Sequence, residues 1–364
     1  MTTRFTRLAG AALVAGLGMA SLAACGGGGA ASGSGKDTGS GGGGGAKKIA
    51  LLLPESKTTR YESFDRPLFE SAIKASCSDC TIIYSNADQD ASKQQQQAEA
   101  ALTQGAKVLV LDPVDGKAAA AVVNNAKSQG VPVVAYDRFI DGADYYVSFD
   151  NETVGKLQAQ TLVDLLKKGG KSSGNLVMIN GSPTDPNAAD FKKGAHSVID
   201  GSGYKVAAEY DTPDWSPDKA QQWMESQITA VKSGLVGVYA ANDGTAGGAI
   251  TALKGGGVTP LPPVTGQDAE LAAIQRIIAG DQSMTIYKPI KPEAEAAAKA
   301  ALALANKKKP ESTKDVKGVA STILDPIAVT KDKVKDTVVK DGFYKVEDIC
   351  SGTFAKACSA AGLS

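Results

Sequence analysis

The sequence predicts an α/β protein built as two doubly wound, parallel-sheet lobes. Three observations carry this. From Lys47 onward, short β-rich runs alternate with helical patterns, as in a chain of βα units. Several of those runs, KVLVLD and VPVVAYD among them, are continuously apolar at their centres, as parallel strands covered on both faces must be. The pattern extends over about 300 residues, more than one comfortable hydrophobic core holds, so two lobes are expected.

The predicted strands, in order, are KIALLL, TIIYS, KVLVLD, VPVVAYD, NLVMING, YKVAAEY, LVGVYAA, PPVTGQD and SMTIYK. Helical patterns cover 92–104, 117–129, 151–168, 216–232, 245–254, 269–279 and 292–306. In the helix 151–168, Val154, Leu157, Thr161, Leu162 and Leu165 fall on one face and are expected to meet the core. The change of lobe is placed near 148–151, after the fourth strand. Asp150 or Asn151 is expected to cap the next helix, and Asp243 the helix after LVGVYAA.

The first 46 residues lie outside this pattern. Arg4 and Arg7 precede an apolar run ending in small residues, the layout of a secretory signal peptide over 1–24. Leu22-Ala23-Ala24-Cys25 resembles a bacterial lipobox, which implies lipidation of Cys25. The Gly/Ser-rich stretch to residue 46 has almost no apolar side chains and reads as a flexible linker. Its typical reach is roughly 25 Å. The chain is expected on the extracellular face of a membrane, held by lipid.

Four cysteines remain. Cys77 with Cys80 and Cys350 with Cys358 are the pairings that closeness in sequence suggests. CSDC could instead be a redox motif. Such motifs place the first Cys at a helix N-terminus, and this one comes after a helical pattern. With 39 basic and 39 acidic residues the net charge is zero, and no basic stripe offers a nucleic-acid surface. The single histidine, His196, has no ligand-spaced partner for a metal. No P-loop, G-x-S-x-G elbow or G-x-G-x-x-G after a strand occurs. The reading is a binding protein, not an enzyme, with no cofactor.

Ligands of open α/β sheets bind beyond the carboxyl ends of the strands. There the sequence places Arg60-Tyr61, Asp137-Arg138, Asp185 and Asn187, Trp215, Asn242-Asp243, Asp268 and Lys288. Some of these are ordinary helix caps, but Arg, Trp and Lys are not capping residues. Hydroxyls both donate and accept, so carboxylates, amides and cations can bracket them, and an aromatic face packs on a sugar's C–H face. The set therefore suits a sugar.

The body resembles the periplasmic sugar-binding proteins of the ribose/xylose type, the soluble receptors of ABC transporters. The resemblance rests on AYDRFIDGADYYVSFDNETVGKLQA, GSPTDPNA, ANDGTAGGAITAL, GQDAELAAIQRIIAGDQSMTIYKPI and KDTVVKDGFYK. It implies two Rossmann-like lobes (periplasmic binding protein type I, the Venus-flytrap fold) joined by three hinge crossings. The lobes would be 47–150 with about 289–325, and 151–288 with about 326–345, leaving 346–364 as a disulfide-bearing tail. It implies sugar contacts from Arg60, Asp137 and Arg138 on the first lobe. From the second it implies Asp185 or Asn187, Trp215, Asn242 and Asp268, with Lys288 near the hinge and Phe191 as a wall. The implied ligand is a monosaccharide, D-xylose first, with glucose, ribose, arabinose and galactose as alternatives. The implied partner is an ABC transporter permease, or else a membrane sensor, and the implied state a monomer. Two departures stand out: Tyr61 occupies a position where xylose-type proteins carry Trp, and Pro186 interrupts the Asp-Asn pair. The effector domain of a sugar-sensing repressor shares the fold, but would need a DNA-binding helix-turn-helix where this chain has a lipobox.

Overall fold

The computed structural model describes residues 47–363. The expected signal peptide, the lipidated Cys25 and the linker lie outside the described residues. Along the chain, β1 (Lys48–Leu53) leads through a wide helical turn, Tyr61–Asp65, into α1 (Arg66–Ser76). Then come β2 (Thr81–Asn86), α2 (Ala91–Thr103), β3 (Val108–Leu111), α3 (Ala119–Ser128), β4 (Val133–Tyr136) and β5 (Tyr145–Phe149). The middle of the chain forms α4 (Asn151–Lys168), β6 (Gly174–Asn180), α5 (Pro186–Ile199), β7 (Tyr204–Asp211) and α6 (Pro217–Val231). It continues through β8 (Leu235–Ala240), α7 (Asp243–Gly255), α8 (Leu271–Ala279) and β9 (Met284–Tyr287). The remainder is α9 (Ile290–Ala305), β10 (Lys314–Val316), β11 (Val319–Leu324), β12 (Ile327–Thr330), α10 (Val346–Ile349) and α11 (Ala355–Ala360).

These strands make two sheets. The first has the order β10-β11-β5-β4-β3-β1-β2 and is parallel except for the edge hairpin β10–β11. The second has a parallel core, β7-β6-β8. It continues through Val264, which bridges to Val238, to the antiparallel pair β9–β12. The chain passes between the sheets three times: from β5 into α4, from β9 into α9, and from β11 into β12.

The apolar runs are apolar because both faces of each sheet are covered. In β1, Ile49, Leu51 and Leu53 join one core with Phe69 of α1 and the alanines of α9. Ala50 and Leu52 join the other core, with residues of α2 and α3. All five are fully buried. The second sheet repeats the arrangement: Leu176 and Met178 face α4 and α5, while Val177 and Ile179 face α6 and α7. Burying each large aliphatic side chain contributes about 1.5–3 kcal/mol, so these strands anchor the loops at their carboxyl ends.

The structure corrects several sequence expectations. PPVTGQD forms only the Val264 bridge, because Pro262 and Pro263 have no N–H to give a ladder. β5, β10, β11 and β12 are strands that the βα pattern does not pick out. β5 comes after β4 without an intervening helix, and β10–β11 is a local hairpin turned by Lys317 and Gly318. The buried face of α4 is rotated from the expected one. Leu157, Thr161 and Leu165 are half-buried, whereas Gln158, Ala159, Val163 and Leu166 are buried with Val154 and Leu162. Buried Gln158 is satisfied, donating to Ala240 O at 3.1 Å and Gly266 O at 2.9 Å and accepting from the Tyr239 hydroxyl at 3.1 Å. Gly155 lets α5 approach, since a Cβ there would lie 2.0 Å from Phe191 O. Asp150 caps α4, and Asn242 rather than Asp243 caps α7. Cys77 is bonded to Cys80 and Cys350 to Cys358.

Candidate ligand-binding site

The carboxyl ends of both sheets converge on one small cavity. Its floor on the first sheet is set by the end of β4. There Asp137 adopts φ +54°, in the left-handed region, and turns its carboxylate inward. The strained residue is held by its neighbours: Asp137 N donates to Val147 O at 2.8 Å, and Asp137 O accepts from Tyr146 Oη at 3.2 Å and from Asn187 Nδ2 at 3.0 Å. The carboxylate accepts from Arg60 Nη1 at 3.2 Å and from the Tyr61 hydroxyl at 3.1 Å. Burial pushes its pKa up, but Arg60, Lys288 and Arg138 together outweigh burial and bring it down to about 2. Asp137 is therefore a fixed anion at neutral pH.

Arg138 is held flat beside it. Its Nη1 donates to Pro113 O at 3.0 Å and its Nη2 to the Tyr61 hydroxyl at 3.1 Å. Its Nε lies 2.9 Å from Asp185 Oδ2 and 3.4 Å from Asp112 Oδ1. The hydroxyl of Tyr61 thus accepts from the cation and donates to the anion, which fixes its single proton.

On the second sheet, Asp185 caps α5 and accepts from Asn187 N at 2.8 Å and from Trp215 Nε1 at 3.0 Å. Burial raises its pKa against the pull of Arg138. Trp215, at φ +51°, lies edge-on to Phe191 with ring centroids 6.3 Å apart. Gly181 makes room for it: a Cβ there would stand 2.0 Å from the indole ring. Asn242 spends its Oδ1 on the backbone and hydroxyl of Thr245, leaving Nδ2 for the cavity. Asp268, at φ +91°, lies 2.9 Å from Lys288 Nζ, at the end of β9. Of the nine non-glycine residues with positive φ among those described, Asp137, Asp214, Trp215, Asp268 and Ala269 border this one cavity or adjoin residues that do. That concentration of backbone strain makes it the candidate functional centre.

The structure brings together Asp137, Arg138, Asp185, Asn187, Phe191, Trp215, Asn242, Asp268 and Lys288 as cavity lining. Both Asp185 and Asn187 face it; Pro186 serves as the first residue of α5. Arg60 does not line it. Its guanidinium is surrounded by Asp65, Asp137 and Glu293, with Nη2 at 2.7 Å from Asp65 Oδ1 and 2.6 Å from Glu293 Oε2. Arg60 stands behind Asp137, with four of its five N–H donors engaged by three carboxylates. Three lining residues were not among the predicted contacts: Thr58, Tyr61 and Gln267. The signal for two of them was adjacency, since Tyr61 comes directly after Arg60 and Gln267 directly before Asp268.

Chemically, the walls offer carboxylate acceptors, cationic and amide donors, and three aromatic rings. Arg138 Nε and Asp268 Oδ1 are ion-paired, to Asp185 and Lys288, whereas the buried Gln267 Oε1 has no hydrogen-bond partner among the described residues. Such groups are costly unless a ligand uses them. Nothing in the lining pairs a nucleophile with a base. The one grouping of metal-ligand types among the described residues, Cys77, Asp79 and Cys80, has its two sulfurs bonded to each other.

Known proteins point the same way. The model of the periplasmic binding protein domain matches residues 49–309. The D-xylose-binding periplasmic protein of Haemophilus influenzae is 41% identical over 312 residues, covering 83% of this chain and 92% of its own. Its Escherichia coli counterpart is 39% identical over the same shares. Among solved structures, an ABC transporter solute-binding protein from Clostridium phytofermentans with bound β-D-glucose superposes with a TM-score of 0.76 at 27% identity. That match covers 83% of this chain and all of the other. A carbohydrate transporter solute-binding protein from Chloroflexus aurantiacus, in complex with D-glucose, gives 0.76 at 29%, covering 83% of this chain and 98% of its own. With the matched domain taking in strands of both sheets and every residue that lines the cavity, this chain belongs to the periplasmic binding protein family.

Proposed function

We propose that the protein captures a monosaccharide, D-xylose best of all, and delivers it to an ABC transporter permease. The observation that carries this is the convergence of Asp137, Asp185, Asp268, Arg138 and Lys288 on one small cavity with Trp215 as an apolar wall. Carboxylates and cations bracket hydroxyls with charge-assisted bonds, and the indole covers C–H surface. The xylose-binding relatives support the choice of sugar. The glucose-bound structural neighbours favour glucose as the second reading. A pentose has about ten heavy atoms, and at up to about 1.5 kcal/mol per atom micromolar affinity is well within reach.

In this reading the residues 47–150 with 289–325, and 151–288 with 326–345, act as closing lobes. A sugar that contacts both shifts the population towards the closed form. Asp137, Arg138, Asp185, Asn187, Asn242, Asp268 and Lys288 contact the sugar, while Phe191 and Trp215 wall it. Arg60 acts through Asp137. The body is a monomer, secreted by the signal at 1–24 and held at the membrane by lipid on Cys25 and the Gly/Ser linker. The test is uptake of labelled D-xylose by cells lacking the protein and complemented with wild type, Asp137→Ala or Cys25→Ser. Wild type restores uptake, Asp137→Ala does not, and Cys25→Ser releases the protein into the medium. Equal uptake with and without the wild-type protein would refute the transport role.

A further inference from the structure

The two halves also meet away from the cavity. Phe64, in the helical turn after β1, stacks on Phe343 with ring centroids 4.0 Å apart and planes 16° from parallel. It lies edge-on to Tyr344 at 5.7 Å. All three rings are half-buried. Phe343 and Tyr344 pack with α8 and the end of the chain, where Ile349, Cys358 and Leu363 lie against Ile274, Ile277 and Ile278. Phe64 is absent from the core beneath its own turn, which takes in its neighbour Tyr61 instead. Its main aromatic partners therefore lie across the cleft.

The contact is wired to both walls of the cavity. Phe64 is three residues from Tyr61, whose hydroxyl joins Arg138 to Asp137. Phe343 meets Tyr287 edge-on at 5.1 Å, and Tyr287 directly precedes Lys288. Beside the aromatic stack, Thr59 N donates across the cleft to Glu270 Oε1 at 3.3 Å. The Cys350–Cys358 bond closes the loop that follows Phe343 and Tyr344, and both cysteines pack in the same cluster as the two rings.

We propose that Phe343 and Tyr344 are affinity-determining residues that never touch the ligand: they form an aromatic latch on Phe64 that holds the cleft closed. The inference rests on the sugar-binding reading and deepens it. A stack present only in the closed form slows release and leaves capture unchanged, because the ligand enters before the rings meet. Aromatic pairs contribute beyond their buried area.

The test is stopped-flow fluorescence with D-xylose and D-glucose on wild type, Phe64→Ala, Phe343→Ala, the double variant and Phe64→Leu. Far-UV circular dichroism checks folding, and Phe64→Leu, which keeps apolar bulk, guards against a misfolded alanine variant. Each alanine variant is expected to raise Kd about tenfold, which is about 1.4 kcal/mol, through faster dissociation with the association rate within about twofold. The double variant is expected to match Phe64→Ala, which alone removes both cross-cleft ring contacts. A Kd within about twofold of wild type in every variant, or losses that multiply in the double variant, would overturn the latch. Absence of any wild-type binding would instead sink the sugar reading. The latch is then decided by small-angle scattering: a larger radius of gyration in the double variant supports it, and equal radii refute it.

Discussion

Arg60 Nη1 lies 3.2 Å from Asp137 Oδ1, so the arginine faces the back of the cavity-lining acid and not the cavity. The same guanidinium binds Asp65 and Glu293, and all four side chains are almost wholly buried. Glu293 lies in the first turn of α9, just after the second crossing between the sheets, so one cation ties the cavity wall to that crossing.

Removing that cation leaves buried carboxylates without a partner. Arg60→Met is expected to destabilise the protein by about 3–5 kcal/mol and to weaken sugar binding as Asp137 loses its support. Denaturant unfolding checks the first effect. Unchanged stability with lost binding would mean that Arg60 reaches the ligand directly.

Gly181 sets the position of the indole. A methyl at this position would overlap the Trp215 ring, so Gly181→Ala must displace it. The expected result is a loss of sugar affinity of at least tenfold, with secondary structure intact and a shifted tryptophan emission. Fluorescence titration reads both quantities, and wild-type affinity would show that Trp215 is not a wall of the site.

The loop after Asp268 carries a titratable strain. Burial first, then the Asp243 and Asp268 carboxylates, pushes the Glu270 pKa up to about 8, against the pull of Thr59 N and Arg276. Burial likewise pushes Asp243 up to about 7, opposed by Arg276 and the Gln282 hydrogen bond. A carboxyl with a raised pKa in the folded state favours folding below its unfolded value and loses that advantage as pH rises through the folded one. For Glu270 the window runs from the ordinary 4.5 to about 8. Stability is therefore expected to fall between pH 5 and pH 9, and Glu270→Gln, which still accepts from Thr59, is expected to reduce the fall. Asp137 works in the opposite sense, losing its contribution as pH drops from 3.8 towards 2, outside that window. Denaturant unfolding at pH 5 and 9 decides; an equal fall in the two proteins would acquit Glu270.

Much of this site is readable from strand ends. VPVVAY reports its own burial, and the residues just past such a run in an α/β sheet point to the cleft, so Asp137 and Arg138 could be named before any coordinates. Spacing alone cannot say which of two adjacent polar residues turns inward. Arg60 and Tyr61 are neighbours, but the helical turn at 61–65 sends Tyr61 to the cavity and Arg60 behind Asp137. Gln158 shows the limit of periodicity from the other side. A polar residue occupies a buried helix face because the backbone carbonyls of Ala240 and Gly266 need a donor there. The strands β10 to β12 hide for a different reason: they complete sheets begun more than 150 residues earlier in one case and close by in another, and such pairing has no local periodic signature.

The most direct test of the account is calorimetric titration of the protein with D-xylose, D-glucose, D-ribose and L-arabinose, alongside Asp137→Ala. The account predicts micromolar or tighter binding of D-xylose, weaker binding of the others, and no measurable heat in the variant. Binding of D-xylose that survives Asp137→Ala, or no heat from any of the four sugars with wild type, would contradict it.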